Sequence, residues 1–171
     1  QQRDAAVKKS TPIAAIVSFC LLGLAASAGA ADPKATAPFL GKWALDVKSM
    51  PVTYGAPPKS VTYEFVDLGN GRWETRIHIV DDGGVRDIAV SYARDGQANA
   101  SSGYAGEGDT AAVNSPAPNV LVMSLARDKQ LESVRTYAVS ADGREMTESA
   151  ADVDDNGVPF VRNFRFTRIG N

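Results

Sequence analysis

The chain has 171 residues, with 18 Lys and Arg against 20 Asp and Glu, one Cys and one His. A net charge of −2 argues against nucleic acid or an anionic membrane surface as partner. One cysteine and one histidine cannot furnish the usual zinc ligand set, so neither a metal nor a cofactor is expected.

At the N-terminus, Arg3, Lys8 and Lys9 precede the apolar run IAAIVSFCLLGLAA at 13–26, and Ala28-Gly29-Ala30 fits the small-residue cleavage rule. Residues 1–30 therefore read as a signal peptide. The run dissolves into Ala, Ser and Gly before it reaches the roughly 20 apolar residues a spanning helix needs, so no membrane span is expected after cleavage. Cleavage would remove three basic residues and one acidic residue, leaving 15 − 19 = −4 on residues 31–171. Cys20 would go with it, so the exported domain would lack a disulfide and be held by its core alone. Periplasm and full secretion are both compatible with this reading.

Residues 31–38, ADPKATAP, read as a flexible tether, and 39–171 as one folded domain. From there the apolar period is two rather than 3.6. Trp43, Leu45 and Val47 alternate with polar neighbours, as in a half-buried strand. MPVTYGAPPK, 50–59, is a proline-rich connection that cannot be helix. SVTYEFVD (60–67) puts Val61, Tyr63 and Phe65 on one face, and Asn70-Gly71 suits a tight hairpin. RWETRIHIV (72–80) alternates Trp73, Thr75, Ile77 and Ile79 with charge, and VRDIAVSYA (85–93) alternates Ile88, Val90 and Tyr92 with small or polar residues. Residues 97–118 are dominated by Gly, Ala, Ser and Asn, with at most a short strand near 110–114. Strands are expected again at 119–126, 130–140, 145–153 and 159–169, separated by RDK, ADGR and DDNG turns. Eight or nine strands joined by short turns, without a helical stripe, imply an all-β antiparallel up-and-down barrel, because closure removes the exposed edges.

The stretch FLGKWALDVKS, with Gly41, Trp43, Leu45, Asp46, Lys48 and Ser49, followed by GAPPKS and a string of D-G and N-G hairpins, resembles the lipocalin-like, calycin-type β-barrels of exported bacterial proteins. The resemblance implies a barrel whose Trp43 seals one end beneath an arginine from the last strand. Arg165 and Arg168, in FRFTR, are the candidates, and a guanidinium on an indole face contributes about 1 kcal/mol. Lipocalins carry a helix after the barrel; the expectation here is a barrel without that C-terminal helix.

For binding, the alternation places Arg135 and Tyr137 on one face of their strand with Leu131 and Val139, and Phe160, Arg162, Phe164 and Phe166 on one face of the last strand. An inward R-x-Y pair and an arginine among phenylalanines look like the carboxylate clamp of fatty-acid-binding barrels, since a buried arginine needs an anion. The competing reading has these arginines in solvent or paired with Glu132, Glu145 or Glu148. Tyr63, Phe65, Trp73, Ile77 and Tyr92 would line the cavity, together with Met123, Tyr137, Phe160 and Phe164. DVDDNG, 152–157, matches the first half of a calcium loop, but its twelfth position is Asn163 and strands flank it. GEGDTA, 106–111, has the glycine spacing of a phosphate loop without the helix that chemistry needs. His78 sits on a charged strand face, and no serine occupies a nucleophile elbow.

The expected function is a monomeric exported barrel binding a small hydrophobic or amphipathic ligand. A filled, ligandless barrel acting by surface contacts in the cell envelope is the alternative, and an envelope enzyme the less favoured third class. Cavity volume separates the first two.

Overall fold

A computed structural model describes residues 37–103 and 108–170. The expected signal peptide, 1–30, and most of the tether lie outside the described residues, as do residues 104–107 of the glycine-rich stretch. The strands are β1 (Gly41–Leu45), β2 (Ser60–Gly69), β3 (Arg72–Asp81), β4 (Gly84–Ala93), β5 (Asp95–Gly103), β6 (Thr110–Ala117), β7 (Val120–Arg127), β8 (Gln130–Val139), β9 (Glu145–Val153) and β10 (Pro159–Gly170). Each pairs antiparallel with its chain neighbour, and β1 pairs with β10, closing a barrel.

The barrel has ten strands, not eight or nine. The difference lies in 95–117, where β5 (DGQANASSG) and β6 (TAAVNSPA) are built from small and polar residues. Only Ala111 and Val113 of β6 are buried, and register shifts between Asp95 and Ala98 and between Asn114 and Ala117 break the alternation. A strand held by ladder hydrogen bonds and close approach leaves little hydrophobic period to read. Gly108, just before β6, carries φ +113, and a Cβ there would stand 2.9 Å from the Ala126 carbonyl oxygen.

β1 also ends earlier than the alternation suggests. It stops at Leu45; Val47–Ser49 and Val52–Tyr54 are single 3-10 turns in a strap, residues 46–59, leading to β2. On β8, Leu131 is 66% exposed although Arg135, Tyr137 and Val139 keep the alternation. Leu125 pairs with Ser133 but Ala126 with Leu131, so Glu132 is an extra residue that reverses the facing beyond it.

Around the closed sheet, side chains of one parity fill the interior: Val61, Tyr63 and Phe65 of β2, Trp73, Thr75, Ile77 and Ile79 of β3, and their counterparts on the other strands are buried. One end is sealed. Phe39 and Trp43 have no solvent exposure, and the Trp43 indole N–H donates to the Phe39 carbonyl at 2.8 Å. The Arg168 guanidinium lies 4.1 Å from the indole centroid and donates to the carbonyls of Leu40 (2.6 Å), Gly143 (2.7 Å) and Pro38. Arg165, of the opposite parity, is exposed on the outer face. Beside the floor, Arg94 covers Trp73 at 3.9 Å. The opposite end is the mouth, formed by the β3–β4, β7–β8 and β9–β10 hairpins and the strap.

Candidate functional site

Above the floor the barrel is filled by aromatic rings. Tyr63 lies 4.9 Å from Phe166 and 6.0 Å from Tyr137, and Phe65 lies 6.3 Å from Tyr137, in tilted and edge geometries favoured by ring quadrupoles. Thr75 and Tyr92, both buried, share a hydroxyl–hydroxyl hydrogen bond of 2.7 Å. Burial pushes the Tyr92 phenol up to about 12, outweighing the Thr75 bond and the Arg94 charge. A barrel this wide needs bulky interior side chains to exclude voids. The void bordered by Ile77, Met123 and Tyr137 is accordingly only about 20 Å³.

The mouth half is different. A cavity of about 230 Å³ is walled by Leu45, Val61, Ile79, Phe164 and Phe166, and by Met50, Ala56 and Pro58 of the strap. Five polar side chains converge on it: Tyr63, Arg135, Glu148, Asp81 and Arg86. Glu148, on β9 beside inward-facing Met146, is only 2% exposed. Its carboxylate accepts from Arg135 Nη1 at 3.0 Å through one oxygen and from the Tyr63 hydroxyl at 3.3 Å through the other. Nearer the rim, Arg86 forms a second ion pair with Asp81. Among the described residues the lining thus carries two arginines and two carboxylates, set in apolar walls.

Of the residues expected at a binding site, Tyr63, Arg135 and Phe164 line this cavity. Phe65, Trp73, Tyr92, Met123 and Tyr137 are buried in the filled half, and Ile77 borders the small void. Phe160 and Arg162 lie outside the pocket lining: exposed Arg162 stacks over Phe160 at 4.8 Å and Tyr54 at 5.4 Å. The cause is the short β1, which ends opposite Phe166 and leaves the start of β10 without an inner flank. The anion for Arg135 is Glu148, supplied by the chain itself. Sequence reasoning named Glu148 only as an alternative partner; its alternation with Met146 was the available signal. It missed Val61, Ile79, Asp81, Arg86 and the strap residues as lining.

Other motifs resolve into local structure. Asp154 accepts from the Asn156 and Val158 amides, both at 2.9 Å, and these bonds hold its carboxyl below the usual range. The DVDDNG stretch is thus a hairpin turn, and no cluster of acids and histidine fit to hold a metal occurs among the described residues. Thr110 begins a strand, so no helix follows the glycine-rich stretch. On the outer face His78 Nδ1 meets Asp87 at 2.7 Å, and both line a depression of about 510 Å³ with Lys42, Glu64, Arg76 and Ser102. Ser102 lies on β5, two strands from His78, a separation of roughly 9.5 Å at ordinary interstrand spacing, and donates to the Ala89 carbonyl at 3.1 Å. A serine–histidine relay does not form, and the depression reads as a solvated sheet face with cross-strand ion pairs.

Comparison with protein-family models gives no match, and comparison with curated proteins gives none either.

Proposed function

We propose that this protein is an exported, monomeric lipocalin-like barrel that binds a small apolar or amphipathic molecule in the mouth half of its interior. The observation that carries this reading is the 230 Å³ cavity with apolar walls around Arg135, Glu148 and Tyr63. Binding sites combine mostly apolar linings with a few convergent polar groups, and drug-sized sites span roughly 300–1,000 Å³. This one fits a small ligand, or the head and first carbons of a longer one whose tail leaves beside the strap. Affinity would come from apolar burial, about 2.5 kcal/mol for each 100 Å² removed from water. The lipocalin-like part of the proposal is supported by Trp43 lying under Arg168 at the sealed end. The exported part rests on the charged, apolar and small-residue order of residues 1–30.

The filled lower half favours a second reading, a ligandless barrel acting through its surface. Fluorescence titration with N-phenyl-1-naphthylamine separates the two. Wild type is expected to enhance the probe's emission saturably, and Val61→Phe, which puts a ring into the cavity, to weaken binding at least tenfold. No saturable signal, or equal binding by the variant, favours the scaffold.

A further inference from the structure

One wall of the mouth cavity carries a side chain whose polarity can be changed in place. Resting on the binding reading above, we propose that Met50 is an oxidation site, and that a peroxide, by converting its thioether to the sulfoxide, weakens ligand binding. The chain has three methionines. Met123 and Met146 are 3% and 0% exposed inside the barrel, whereas Met50 is half-buried in the strap and lines the cavity. The strap covers it lightly: neither of its 3-10 turns has a buried residue, and the Met50 amide closes the first of them on the Val47 carbonyl at 3.3 Å. Thioether oxidation needs contact between sulfur and oxidant. A small peroxide in the empty cavity reaches Met50, while close packing shields the other two sulfurs. The reaction is one oxygen-atom transfer. A sulfur lone pair attacks one oxygen of hydrogen peroxide, and the O–O bond breaks as the S–O bond forms. The departing oxygen takes up the proton of the attacked one and leaves as water, so sulfur loses two electrons and the peroxide gains them. The product is polar and chiral where a flexible apolar side chain stood. Its oxygen then sits in a wall shared with Leu45, Ala56 and Phe164, where covering it with an apolar tail costs free energy. Should the side chain turn out to water instead, the ligand loses that part of the wall. Binding weakens either way. Conversely, a ligand in the cavity covers the sulfur, so occupancy and oxidation oppose each other.

Timed exposure to hydrogen peroxide at pH 7, followed by peptide mass spectrometry, tests the site. Met50 is expected to be oxidised at least tenfold faster than Met123 or Met146, and at least fivefold more slowly once N-phenyl-1-naphthylamine saturates the cavity. The oxidised protein is expected to bind that probe at least fivefold more weakly, and methionine sulfoxide reductases for both sulfoxide epimers to restore the affinity. Met50→Leu, nearly constant in volume, is expected to bind the probe within twofold of wild type and to keep that affinity after peroxide. Oxidation of Met123 or Met146 as fast as Met50 overturns the inference, as does Met50 sulfoxide with unchanged affinity, and both leave the binding reading intact. Equal loss of affinity in peroxide-treated Met50→Leu places the effect elsewhere and overturns it too. Absence of saturable probe binding before any oxidation overturns the binding reading and this inference with it.

Discussion

At the scale of single residues, Arg168 does the most concentrated structural work. Its guanidinium covers the Trp43 indole and ties together three carbonyls that come from the entry to β1 and from the β8–β9 turn. Charged hydrogen bonds contribute about 1.5–3 kcal/mol each where burial leaves the acceptor no water. Arg168→Met keeps much of the apolar stem and is expected to destabilise the barrel by about 3 kcal/mol in urea unfolding. Arg165→Met, on the exposed parity of the same strand, is expected to change stability by less than about 0.5 kcal/mol. Tyr92 gives a pH signature. Its folded pKa, about 12, lies above the ordinary tyrosine value of 10. Its contribution to stability is therefore complete below pH 10 and is lost as pH rises toward 12. Ultraviolet titration is expected to show a tyrosine ionising near pH 12 that is absent in Tyr92→Phe.

At the scale of elements, legibility follows burial. β2, β3 and β4 bury one face of bulky residues against a polar or small-residue outer face, so their period of two stands out in the sequence and their ends lie within two residues of expectation. β5 and β6 are defined by their neighbours: Ala98 pairs with Ala112 and Ala100 with Thr110, with no large side chain to mark the face. The R-x-Y pair of β8 was legible because it alternates with Val139, whereas Leu131 was misplaced by one extra residue. The cavity itself was not legible, since its walls depend on where β1 stops and how the strap crosses the mouth. Gly108 tests the tight passage into β6. Gly108→Ala must relieve a 2.9 Å approach to backbone as well as adopt φ +113. Gly143, at φ +70, has nothing within 4 Å of an added Cβ. Gly143→Ala is expected to cost about 1 kcal/mol and Gly108→Ala clearly more, a ranking that thermal melts can read.

At the scale of the whole molecule, the barrel is two volumes stacked along one axis. A filled aromatic half gives rigidity, and a polar-lined half is open to occupation. Occupation of the mouth half is linked to stability: a ligand at a hundredfold excess over its Kd adds about 2.7 kcal/mol. N-phenyl-1-naphthylamine at that concentration is expected to raise the melting temperature by several degrees, and by much less in Val61→Phe.

The five-residue β1 has one more consequence. It leaves β10 from Pro159 to Arg165 without a strand along its seam side, where Asp46 N–H donates to the Arg165 carbonyl and the Asn163 amide donates to the Tyr54 hydroxyl at 2.9 Å. Tyr54, seated on Phe164 with ring centroids 5.6 Å apart, therefore stands guard over a stretch where the cylinder could recruit a foreign strand. Tyr54→Ala should turn the cylinder into a self-associating species, and light scattering would register the change.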